Sequence, residues 1–119
     1  MKILIVDDDK NILLLYKDDL EDAGYEVIVA DSGKEALRLF EKENPDLVSL
    51  DISIPDIDGI ELLRIMKEKR PRLPIIMNTS YDYRDDFSVW ACDSYIVKSS
   101  DTTELQEKIK SLLQEKQIR

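Results

Sequence analysis

Four places in the chain carry side chains suited to metal-assisted chemistry on a phosphoryl group: the run Asp7-Asp8-Asp9, then Asp51, Thr79 and Lys98. Clustered carboxylates repel and raise one another's pKa unless a cation sits among them. The 119 residues include no histidine, and Cys92 is the single cysteine. Histidine acid/base work, Ser-His triads, His-ligated zinc or haem, intrachain disulfides and cysteine clusters are therefore excluded. The cation should be hard and oxygen-bound. Mg²⁺ fits best, because it accepts a few carboxylates and keeps several waters for other ligands. A lysine and a hydroxyl facing it would hold the equatorial oxygens of a transferring phosphoryl group. One carboxylate would then be the nucleophile and form an acyl phosphate. Asp51 is the best placed, because it directly follows the apolar run Leu47-Val48-Ser49-Leu50.

Each of these residues has a plainer reading on its own. An acidic run after a strand is often a solvated turn, and Asp51 alone would serve as a helix cap. Thr79 would be a satisfied strand-end hydroxyl, Lys98 a surface lysine and Cys92 a small buried apolar residue. Their joint placement is what the plain readings fail to explain, and that placement depends on the elements between them. Five β-rich runs are expected at Ile3–Val6, Tyr25–Ala30, Leu47–Leu50, Ile75–Met77 and Tyr95–Val97. The first is continuously apolar, as for a strand buried on both faces, whereas YEVIVA alternates like a strand nearer an edge.

Helical patterns separate the runs. Asn11–Ala23 places Ile12, Tyr16 and Leu20 on one stripe, ended by Gly24. Ser32 with Glu35, and Asp58 with Glu61, form capping-box patterns before apolar stretches that stop ahead of Asn44-Pro45 and Pro71. Asp101 with Glu104 opens the last helix, whose face carries Leu105, Ile109, Leu112 and Leu113. The segment from Asp82 to Asp93 has no clean period. Strict βα alternation implies parallel strands, right-handed crossovers and helices on both faces. Ligands of such sheets bind at the carboxyl ends of the strands, which is where the aspartate run, Asp51, Thr79 and Lys98 stand.

At roughly 150 residues per domain, residues 1–119 read as one domain. Apolar residues make up 43% and charged residues 36%, the balance of a globular chain. Seventeen basic against 26 acidic residues leave a net charge of −9, which opposes direct binding to nucleic acid or to an anionic membrane. The apolar start KILIV is too short for a signal peptide or a membrane span, so a cytoplasmic address is expected.

The stretches ILIVDDD at 3–9, LVSLDISIPDIDG at 47–59, PIIMNTS at 74–80 and SYIVKSS at 94–100 resemble the receiver domain of bacterial two-component response regulators, chemotaxis-regulator-like, along essentially the whole chain. The resemblance implies a flavodoxin-like, doubly wound α/β fold with five parallel strands in order 2-1-3-4-5. It implies that Asp51 accepts a phosphoryl group from a phosphohistidine on a sensor histidine kinase. Asp8 and Asp51 would bind Mg²⁺ directly, Asp7 through water, and the backbone carbonyl of Ser53 would add a ligand. Thr79 would hydrogen-bond the phosphoryl group, Lys98 would ion-pair with it, and Tyr95 would be the switch aromatic. The resemblance further implies slow autodephosphorylation rather than conventional enzyme activity. The surface of the fourth helix, fifth strand and fifth helix would signal to an output protein or domain.

The chain departs from that pattern in three places. Proline usually follows the lysine with a cis bond; here Ser99-Ser100 follows, and a cis non-proline bond costs about 3–4 kcal/mol, so a trans bond is expected. The spacing from Thr79 to Lys98 is only 19 residues, which points to a shortened or irregular fourth helix and an atypical partner face. Asn78 occupies a commonly apolar position and needs a partner if buried. Tyr81, Tyr83, Phe87 and Trp90 lie nearby and read first as local core. A pseudo-receiver that binds partners without phosphorylation is the alternative. Asp7-x-Asp9 also superficially resembles haloacid-dehalogenase phosphatases, without their continuation. An FMN site would need a Ser/Thr/Gly-rich loop after the first strand.

Overall fold

The computed structural model describes residues 1–79, 93–99 and 101–118. Strands and helices alternate: β1 (Lys2–Val6), α1 (Lys10–Asp22), β2 (Glu26–Ala30), α2 (Gly33–Glu43), β3 (Leu47–Leu50), α3 (Gly59–Lys69), β4 (Ile75–Thr79), β5 (Ser94–Val97) and α4 (Thr103–Ile118). The strands form one parallel sheet in order β2-β1-β3-β4-β5, the flavodoxin-like order expected. Chain order and sheet order diverge at β1, which has β2 on one side and β3 on the other.

Burial follows from that order. β1 and β3 lie inside the sheet with helices over both faces, and their apolar runs are almost wholly buried. The alternating β2 sits at an edge and exposes Glu26. One core layer joins Ile3, Ile5, Ile76 and Ile96 to Tyr16 and Leu20 of α1 and to Ile109 of α4. The other joins Leu4, Val48, Leu50 and Met77 to Phe40 of α2 and to Leu62, Leu63 and Met66 of α3. Side-chain alternation along each strand sends neighbours into opposite layers.

The helix ends follow the cap signals with small shifts. Asp9 caps α1 by accepting from the Asn11 and Ile12 amides, so the helix starts at Lys10, one residue before the predicted Asn11. Gly24 takes φ +99° just past the Ala23 C-cap. Ser32 and Asp58 cap α2 and α3. The return halves of both capping boxes do not form, because Glu35 pairs with Arg38 and Glu61 with Arg64. The last helix begins at Thr103 rather than at Asp101. Asp101 accepts from the Thr103 amide, while Thr102 at the cap position donates to Asp19 of α1 at 2.7 Å.

The helix expected between the fourth and fifth strands, with Tyr81, Tyr83, Phe87, Trp90 and Cys92, lies outside the described residues. Among the described residues no helix is long and apolar enough to cross a membrane, and no peptide bond is cis, so Lys98–Ser99 is trans.

Candidate functional site

β1 and β3 are hydrogen-bonded neighbours, with Val6 beside Leu50, so the residues after them emerge side by side. Asp7 follows β1 and Asp51 follows β3, and the Asp51 amide donates to the Val6 carbonyl at 3.0 Å. Their carboxylates are only 2% and 3% exposed, whereas Asp8 is exposed. One carboxylate oxygen from each of Asp7, Asp8 and Asp51 lies within 4.8 Å of the other two.

Lys98, the first residue after β5, reaches across the rim. Its ammonium stands 2.6 Å from Asp7 Oδ2 and 2.8 Å from Asp51 Oδ2. One cation thus bridges two nearly buried anions from different strands. Two backbone amides complete the set. The Asp9 amide donates to Asp7 Oδ1 at 2.9 Å, and the Ser53 amide donates to Asp51 Oδ1 at 3.1 Å.

The titration behaviour follows from this geometry. Burial pushes the Asp7 carboxyl above its ordinary value, and the bonds from Lys98 and Asp9 only partly offset it. Burial alone would lower the Lys98 ammonium. The hydrogen bonds to Asp51 and Asp7 outweigh it and hold the lysine above its ordinary value. The cluster carries three carboxylates against one ammonium, and all its free acceptors are hard oxygens. That donor set fits Mg²⁺, which takes a few carboxylates and retains water.

The loop after Asp51 is held from two sides. Gly59 opens α3 with its amide on the Ile52 carbonyl at 3.0 Å. A β-carbon there would stand 2.5 Å from the Asp51 carbonyl oxygen and 2.4 Å from Ile52 Cα. The approach of α3 to the end of β3 therefore requires glycine. Asp56 reaches the other way and accepts from the Gly33 and Lys34 amides at 2.7 and 2.9 Å. Those bonds at the N-terminus of α2 hold the Asp56 carboxyl below its ordinary value.

The structure thus brings together Asp7, Asp8, Asp51 and Lys98, with Ser53 two residues past Asp51. Thr79 is the last residue of β4, in register with Val97. Tyr95 is half-buried against the core layer of α2 and α3. Three contributions were missed in the sequence. Asp56 had a signal in its place within Pro-Asp-x-Asp-Gly. Gly59 was read only as part of that motif. Tyr16 was read as core, but its hydroxyl donates to the Ser99 carbonyl at 3.0 Å.

Comparison with known proteins identifies the family. The response regulator receiver domain profile matches residues 3–110. The alkaline phosphatase synthesis transcriptional regulatory protein PhoP of Bacillus subtilis is 37% identical over 120 residues, covering 98% of this chain and 50% of PhoP. The chain spans about half the length of several curated relatives. The polar-differentiation response regulator DivK of Brucella ovis is 34% identical over 116 residues, covering 93% of this chain and 94% of DivK. Response regulator TrrA of Thermotoga maritima, crystallised with Mg²⁺-BeF, superposes with a TM-score of 0.89 at 46% identity, over 93% of this chain and 97% of TrrA. TrrA in complex with histidine kinase ThkA superposes with a TM-score of 0.88 at 46% identity, over 94% of this chain and 97% of TrrA. The profile and these relatives cover nearly the whole sequence, and the chain belongs to the response regulator receiver domain family.

Proposed function

We propose that this chain is a phosphorylation-dependent signalling switch in which Asp51 is the phosphoryl acceptor. The observation that carries the reading is the Lys98 ammonium held between Asp7 and Asp51, with Asp8 completing a three-carboxylate cluster. Asp51 attacks the phosphorus of a phosphohistidine on a sensor histidine kinase. A P–O bond forms, the P–N bond breaks, and its electron pair leaves with the imidazole. The Ser53 amide, already on Asp51 Oδ1, orients the carboxylate for that attack. Lys98 then transfers its contact from the Asp51 carboxylate to a phosphoryl oxygen, and the Thr79 hydroxyl donates to another.

Asp8, Asp51 and the Ser53 carbonyl would hold Mg²⁺, with Asp7 acting through water. The ion would supply positive charge against the transferring group. Slow loss of the phosphoryl group to water would reset the switch. Tyr95 and the surface beside β5 would pass the change to an output protein or domain. Residues 1–119 would act as one receiver unit, in the cytoplasm, with no contact of their own to nucleic acid or membrane. The complex of TrrA with its kinase supports the choice of partner.

Intact mass after incubation with acetyl phosphate tests the reading. One added phosphoryl group is expected, requiring both Mg²⁺ and an intact Asp51, and lost in Asp51→Asn. No adduct, together with no beryllofluoride binding by the folded, Mg²⁺-loaded chain, would replace this reading with a pseudo-receiver that works by binding alone.

A further inference from the structure

The sheet holds Lys98 from behind, through Val97. Val97 is the last residue of β5 in register with β4, and it is 48% exposed. Among the described residues the ladder with β4 ends there. No proline ring restricts the backbone past that point, because Ser99 follows in a trans peptide. The Lys98 ammonium sits on two carboxylates at 2.6 and 2.8 Å, so the placement of this segment bears directly on the geometry of the site.

Tyr16 supplies a hold. It lies on the inner face of α1, 2% exposed, and its hydroxyl donates to the Ser99 carbonyl at 3.0 Å across 83 residues of sequence. The Asn78 side chain lies beside the same hydroxyl. Asn78 is itself 3% exposed, and its Oδ1 has no hydrogen-bond partner. Tyr16, Asn78 and Ser99 line one cavity of about 320 Å³. Burial holds the Tyr16 phenol above its ordinary value, so it stays protonated and remains a donor throughout the neutral range.

α1 starts from the Asp9 cap, two residues past Asp7. The helix that follows the metal-side carboxylates therefore also anchors the segment that carries the opposing ammonium. We propose that Tyr16 is a positioning residue for phosphoryl transfer, its hydroxyl setting where Lys98 places its ammonium by holding the carbonyl of the next residue. The proposal rests on the acceptor role of Asp51 stated above. Tyr16 touches neither phosphoryl group nor carboxylate, and it acts only through Lys98.

The test is a double-mutant cycle on the initial rate of Asp51 phosphorylation by acetyl phosphate at saturating Mg²⁺. Tyr16→Phe keeps the ring in the core and removes only the hydroxyl. In the wild-type background it should slow phosphorylation roughly tenfold or more, as misplacement of a catalytic group does. In a Lys98→Ala background it should change the rate less than twofold. An equal loss in both backgrounds, or no loss in the first, overturns the proposal. A second readout does not depend on phosphorylation: the ¹⁵N resonance of the Lys98 ammonium, kept from fast exchange by its two carboxylate bonds. Tyr16→Phe should shift or broaden it, and an unchanged signal overturns the proposal. If the wild-type chain gains no phosphoryl group, the functional reading fails, and the ammonium resonance alone decides whether Tyr16 positions Lys98.

Discussion

Asp7 shows what the site costs at the scale of one residue. Its carboxylate is 2% exposed, and even two hydrogen bonds leave its pKa above the ordinary value. A carboxyl with a raised folded pKa favours the folded state most when protonated. That contribution is complete below the unfolded value, near pH about 4, and is lost as pH rises through the folded value. Asp7→Asn keeps the shape and removes the charge. The variant should therefore melt above the wild type at pH 7 without Mg²⁺, and the gap should close as pH falls below about 4. Adding Mg²⁺ should narrow the gap from the other side, by raising the wild type. A variant that melts below the wild type at pH 7 would show that the Lys98 pair outweighs burial. The acid residues and Lys98 were legible because their types are rare at strand ends and their chemistry is mutually dependent. Tyr16 was not. On α1 it has the spacing of a core residue, which it also is, and no local pattern reveals that its hydroxyl meets a carbonyl 83 residues away.

Among the elements, the junction of β3 and α3 carries Asp51, the proposed acceptor. Asp51 is buried because β3 is an interior strand, and it is aimed because the loop behind it is pinned at the Gly59 amide. A methyl group at residue 59 would meet the main chain of Asp51 and Ile52, which cannot rotate away as a side chain can. Gly59→Ala should cost about 1–3 kcal/mol, the range for overpacking a close contact. Urea denaturation should show the midpoint falling with the slope unchanged. Phosphorylation of the folded fraction should slow as well, because the strain falls on Asp51 itself. A variant as stable as the wild type would mean that the loop moves freely and does not aim the acceptor. Most element positions were readable, because apolar runs, Ser32, Asp58 and Gly24 act through contacts within one turn. The start of α4 was not. Asp101 and Thr102 both carry capping side chains, and what distinguishes them is the bond from Thr102 to Asp19 on α1, a tertiary contact.

For the whole molecule, the parallel order explains why the rim could be inferred before any coordinates. Strict alternation with right-handed crossovers leaves few topologies, and all of them gather the strand ends on one side. The same order ranks the strands by stability. β1 and β3 are paired on both sides and buried on both faces, whereas β5 is paired on one side and exposes Val97. Moving a switch from 1:99 to 99:1 takes about 5.5 kcal/mol, a large share of the roughly 5–15 kcal/mol that holds a domain together. A change of that size is affordable only where few contacts must be rebuilt, at a sheet edge rather than the sheet centre, and of the two edges the proposed site adjoins that of β5. Lys98 and Tyr95 both belong to that edge. Hydrogen exchange should therefore be faster in β5 than in β1 and β3 of the free chain. Loading with Mg²⁺ and beryllofluoride, which stands in for the phosphoryl group, should protect residues 94–99 and the first turn of α4. The amides of β2 and α2 should keep their rates. Protection spread evenly over the sheet would mean that the ligand only stabilises the fold, and that the β5 edge is not the moving part.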